Sequence, residues 1–140
     1  MSMIEKRKRW RALPILGVMC LGLAGCATRP TASQIATADY GSRPGPEHQQ
    51  LIKDWFAERL IDPTSPLYTF RGPVKGYIGK SPLYGTEMTF GWVVCGTVNA
   101  KNRMGGYTGR EIFFTIFNNG KLKFAISGIT AEELCGRARV

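Results

Sequence analysis

Residues 110–127 read REIFFTIFNNGKLKFAIS, two apolar runs joined by Asn119-Gly120. A two-residue type I′ turn needs positive φ at both central positions, which Asn and Gly tolerate best, so the stretch predicts a tight β-hairpin. An unbroken register would pair Phe117 with Leu122, Thr115 with Phe124 and Phe113 with Ile126, and that face is expected to be core. The other face would set Ile112, Phe114 and Ile116 against Ser127, Ala125 and Lys123, which makes it half apolar.

Working outward, MTFGWVVCGTVNA (88–100) predicts a second firm strand. Phe90, Trp92, Val94 and Val98 share one of its faces; Thr89, Gly91, Val93, Cys95 and Thr97 take the other. SPLYTFRGPVKGYIGKSPLYG (65–85) is punctuated by prolines. It suggests short strands near 67–70 and 75–78, each at an edge, because proline cannot donate to a ladder. PEHQQLIKDWFAERLID (46–62) predicts a helix with Leu51, Ile52, Trp55, Phe56 and Leu60 on one face, begun by Pro46 and ended by Asp62-Pro63. In GITAEELCG (128–136), Thr130 and Glu133 form a capping box and Ile129 with Leu134 a hydrophobic staple, so a single helical turn closed by Gly136 is expected. The fold class is α+β: a small antiparallel sheet of three to five strands, one amphipathic helix packed on a face, and a short C-terminal helical turn.

The start of the chain bears on compartment. MSMIEKRKRWRA is strongly basic, and LPILGVMCLGLAG is apolar for about a dozen residues, a signal-peptide length that falls short of the roughly 20 needed to span a bilayer. The stretch ends in Leu23-Ala24-Gly25-Cys26, which resembles the lipobox of bacterial lipoproteins. That resemblance implies cleavage after Gly25, a lipid on Cys26 and, with Ala27 following, export to the outer membrane. An ordinary secretory signal with an incidental cysteine, or an uncleaved anchor, is the alternative. Residues 1–25 are thus read as a signal peptide, 26–45 as the lipidated cysteine with a small, polar, proline-rich tether, and 46–140 as one domain.

Of 19 basic and ten acidic residues, five and one lie in the first 25, so the formal net charge falls from +9 to +5 on cleavage. A mildly basic remainder permits anionic partners without requiring them. No basic run is interleaved with aromatics, so nothing points to nucleic acid. Of the four cysteines, Cys20 leaves with the signal and Cys26 is the lipid site. Cys95 and Cys135 then read as one disulfide in an oxidising envelope, with two buried thiols as the alternative. One histidine and no CxxC spacing offer no metal site, and no cofactor motif is found.

NAKNRMGGYTG (99–109) is the stretch that invites a site. It lacks the G-x-G-x-x-G spacing and is followed by a strand, so a dinucleotide fingerprint fails. GYIGKSP fails as a P-loop because residue 74 is Val74 and Pro82 interrupts the helix that should follow. A long strand connection remains, and its backbone N–H groups could form an anion nest. Asn99, Lys101, Asn102, Tyr107 and Arg110 are the ligand-binding candidates. Together with DPTSPLY (62–68), the VNAKN and GGYTG segments resemble a group of small uncharacterised bacterial envelope lipoproteins, spanning most of residues 47–127; the group carries Ser where this chain has Arg103. The resemblance implies kinship and no activity.

No catalytic constellation is expected. His48 opens a helix and reads as a surface or capping residue, Asp54 and Glu58 as an exposed face, Trp55 and Trp92 as core. The expectation is a non-enzymatic binding or structural module, anchored in the outer membrane, with a partner that is another envelope protein or an anionic component such as peptidoglycan or lipopolysaccharide. A small envelope hydrolase, or an inhibitor of a cell-wall-active enzyme, is the alternative.

Overall fold

A computed structural model describes residues 29–83 and 85–138. The expected signal segment, Cys20 and Cys26 lie outside the described residues. The order is α1 (Ala32–Ala36), α2 (Glu47–Ala57), β1 (Leu67–Ile78), β2 (Thr89–Asn99), β3 (Glu111–Asn118), β4 (Lys121–Ser127) and α3 (Ile129–Ala138). The four strands form one antiparallel sheet in the order β1-β2-β3-β4, so the fold is α+β.

The hairpin turn forms as expected, with φ of 50° at Asn119 and 70° at Gly120. The register does not continue as expected. Phe117 pairs with Leu122, but the next pairs are Ile116 with Phe124 and Phe114 with Ile126. Lys123 is an extra residue, a β-bulge, and a one-residue slip carries every later side chain to the other face. Phe124 and Ile126 therefore join Phe114 and Ile116, not Phe113 and Thr115.

Both faces of the sheet are consequently apolar, and each is covered by a helix. On one side Ile52 and Phe56 of α2 pack on Val94, Val98, Phe113 and Phe117. On the other, Ala131 and Cys135 of α3 pack on Ile78, Val93, Phe114 and Ile116. Gly96 is required beneath the first layer: a Cβ there would stand 1.9 Å from the Thr69 carbonyl oxygen and 2.6 Å from the Phe113 ring. Thr115, buried in the same layer, donates its hydroxyl to the Val94 carbonyl at 2.8 Å.

Several sequence expectations are corrected. The two short strands of 67–78 are one twelve-residue edge strand, β1, whose register shifts between Arg71 and Val74, where Pro73 is accommodated. Helix α2 ends at Ala57, before Asp62-Pro63, and its inner stripe is His48, Ile52 and Phe56, while Leu51 is exposed and Trp55 and Leu60 are half-buried. His48 is buried, not a surface residue. Its Nδ1 faces the Gly45 carbonyl, to which it can only donate, and its ring meets Phe117 edge-on. Trp92 is half-buried, donating from Nε1 to the Gly41 carbonyl.

The C-terminal element is a helix of ten residues that runs through Gly136, not one turn. Ile129 is 89 % exposed, so no staple forms; the helix is held by Ala131, Leu134, Ala138 and the disulfide from Cys135 to Cys95 of β2.

The tether expectation also changes. Helix α1 (Ala32–Ala36) forms within the tether, opened by a Thr31/Gln34 capping box, and residues 39–46 lie on the sheet as a strap. The strap is fixed by Asn118 Nδ2 to Asp39 O, Ser42 N to Asn119 Oδ1, Tyr40 edge-on to Phe90, and buried Pro44.

Lys123→Ala should leave the cooperative thermal transition in place and change stability by less than about 0.5 kcal/mol. The disulfide closes a separation of 40 residues. Cys95→Ser with Cys135→Ser should lower the free energy of urea unfolding by up to about 4 kcal/mol.

Candidate functional site

The connection between β2 and β3 is an ordered projection. Past Asn99 the chain continues as a narrow antiparallel ribbon, with Lys101 opposite Tyr107 and Thr108 N–H donating to the Ala100 carbonyl at 3.0 Å. Asn102 N–H donates to the Gly106 carbonyl at 2.8 Å, and Gly105, with φ of 80°, lets the chain reverse.

The asparagines build this shape. Asn102 Oδ1 accepts from the N–H groups of Met104 (2.9 Å) and Gly106 (3.1 Å), and Asn99 Oδ1 accepts from Gly109 N–H at 3.1 Å. The N–H groups of residues 102, 104, 105, 106, 108 and 109 all donate within the loop. These six donors are already engaged, so an anion at them would have to displace existing bonds. Of the candidate residues, Asn99 and Asn102 use their acceptor atoms to hold the loop, which leaves Lys101, Tyr107 and Arg110 as the side chains able to meet a partner.

The structure brings Tyr107 to the turn at residues 62–65 that follows α2. Asp62 accepts from Thr64 N–H (2.9 Å), Thr64 Oγ1 (2.6 Å) and Ser65 Oγ (2.6 Å). Tyr107 Oη then donates to the Ser65 carbonyl at 3.1 Å, pinning the loop to this turn. Lys101 Nζ lies 5.4 Å from the Tyr107 ring centroid. The hydrogen bonds from Ser65 and Thr64, with a smaller contribution from the Lys101 charge, lower the Asp62 pKa from its ordinary 3.8 to about 2. The DPTS sequence at 62–65 is a recognisable Asx-turn signal and could have marked this anchor.

The resulting surface combines cationic and apolar groups. Arg103 and Arg110 are exposed and make no ion pair among the described residues. Met104 at the tip is 93 % exposed, and Ile61, Leu67 and Tyr107 are exposed at the same end of the sheet. Beneath the loop a cleft of about 200 Å³ opens between Trp55, Arg59, Val98 and Thr108, with the Arg59 guanidinium 4.0 Å over the Trp55 ring.

A larger cavity, of about 320 Å³, lies at the opposite end of the sheet between α1, the end of β1 and α3. No single stretch of sequence signals it, because its walls come from residues 29–40, 75–86, 124 and 130–138.

Comparison with family models, with curated proteins and with solved structures finds no match for this chain.

A carboxyl whose pKa is depressed in the folded state stabilises the fold above its unfolded pKa and loses that contribution as pH falls through the folded value. The Asp62 carbon resonance in an NMR titration should accordingly move with a midpoint near 2, and the associated stability should disappear between about pH 4 and pH 2. Ser65→Ala should raise that midpoint.

Proposed function

We propose that this chain is a lipid-anchored binding module of the bacterial cell envelope, held in the outer membrane through Cys26 and engaging another envelope protein through the 100–110 loop. The observation that carries the reading is the polarity of the domain. The described chain enters at Arg29, on the wall of the 320 Å³ cavity at the end of β1, and the loop extends from the other end of the same sheet. Twelve residues of β1 separate the two ends by roughly 35 Å. A domain anchored near Arg29 would hold the loop away from the bilayer, towards a partner.

The composition of that end favours a protein over a small anion. Tyr, Met and Arg are the side chains enriched in protein interfaces, and here Tyr107, Met104, Arg103 and Arg110 are displayed on a braced loop whose ordering cost is met before binding. Supporting a non-enzymatic role, His48 is buried with its Nδ1 bonded, and Cys95 and Cys135 are bonded to each other. The braced projection and its exposed Met104 tip also suit a second reading, an inhibitor that inserts the loop into the cleft of a cell-wall-active enzyme.

Lys101→Ala and Arg110→Ala, singly and together, should preserve the thermal transition and lower recovery of the cross-linked envelope partner about tenfold or more. Full recovery with the double variant would reduce the loop to a connector. Radiolabelled palmitate should tag the wild-type chain and not the Cys26→Ser chain; equal labelling, or none, would remove the anchor.

A further inference from the structure

The 320 Å³ cavity has an ordered polarity. Its walls are apolar, from Ile35 of α1, Tyr77 of β1, Phe124 of β4 and Leu134 of α3. Arg29 and Lys75 stand on its rim, with Arg137 and Glu133, and the last two pair with each other. The net charge left at the mouth is therefore positive: among the described residues neither Arg29 nor Lys75 forms an ion pair. Lys75 Nζ instead lies 5.2 Å from the ring centroid of Tyr40, which lines the cavity, and 5.8 Å from that of Trp92 beside it.

Two further observations say what meets this mouth. Cys26 precedes Arg29 by three residues, and three extended residues reach at most about 10 Å. The docked strap removes the long spacer that a free 26–45 tether would supply. Beside the cavity, Ser81 and Thr86 pair across a small turn whose apolar Leu83 is 79 % exposed. A cationic rim over an apolar pocket, flanked by an exposed leucine, matches the order phosphate then acyl chain in a glycerophospholipid.

We infer that the cavity binds an anionic glycerophospholipid of the leaflet that holds Cys26, with the phosphate at Arg29 and Lys75 and part of an acyl chain between Ile35, Phe124 and Leu134. This rests on the lipid anchor proposed above. It turns the anchor from a leash into a fixed seat: the domain lies with its cavity end on the bilayer, and the loop end is directed away.

The test uses the acylated full-length chain with photoreactive benzoylphenylalanine substituted at Ile35, purified from cells given radiolabelled palmitate. It is reconstituted in vesicles of phosphatidylcholine alone or of phosphatidylcholine with phosphatidylglycerol. Irradiation should give a phosphatidylglycerol adduct by mass spectrometry. Arg29→Ala with Lys75→Ala should lower its yield about tenfold or more, while Lys53→Ala, on the exposed face of α2, should not change it. A palmitate-labelled protein that gives no phospholipid adduct would overturn the cavity assignment and leave the anchor standing. So would one that reacts equally with phosphatidylcholine, or only with its own Cys26 lipid. Loss of the palmitate label would overturn both.

Discussion

The extra residue at Lys123 in β4 is the constraint from which the rest of the architecture follows. With Phe117 opposite Leu122 and Ile116 opposite Phe124, the strand changes side within one residue. A hairpin that would otherwise have had one buried face and one partly solvated face acquires two apolar faces. Such a sheet cannot stay in water on either side, so it needs two covers, and the chain supplies α2 for one and α3 for the other. The helices are separated by the whole sheet, which makes the domain three layers thick despite its modest length.

The N- and C-terminal parts of the chain are held to this sheet by different means. The disulfide ties α3 to β2, close to the middle of the buried layer, where Cys95 and Cys135 are both buried. The strap of 39–46 is held by polar bonds to the hairpin turn and to Trp92, and by aromatic contacts at Tyr40 and Phe90. Helix α2 therefore starts from a fixed point, and burial of His48, Ile52 and Phe56 follows from how the strap delivers it. The domain gains two chemically distinct ends: a braced cationic loop beside Asp62 and Ser65, and an apolar cavity rimmed by Arg29 and Lys75.

The loop spends many of its own backbone donors on its fold. Its glycines and asparagines are those of an anion-binding loop, and they do form tight turns there. Yet the two Asn oxygens take up three backbone N–H groups between them, and the ribbon pairing takes others, so six of the loop's donors are internal. Of the side chains left over, Lys101 and Tyr107 face each other across the ribbon, and Arg110 follows it in the chain. Tyr107 is organised by a segment some 40 residues upstream, through the Ser65 carbonyl, and Lys101 lies over the Tyr107 ring.

Local chemistry was enough to determine the elements of this protein. Asn119-Gly120 specified the hairpin turn, the alternation of 88–100 specified which face of β2 each residue occupies, and the spacing of Ile52 and Phe56 specified a helix. These depend on short-range periodicity and φ preference, which one stretch of chain carries by itself. Only the tertiary structure decided the bulge at Lys123, the burial of His48, the docking of 39–46 and the continuation of α3 through Gly136. In each case the local signal was neutral or pointed elsewhere, and the outcome was set by apolar surface contributed by distant segments. No window of sequence holds that surface, so the free energy that selects among the local options exists only once the layers have met.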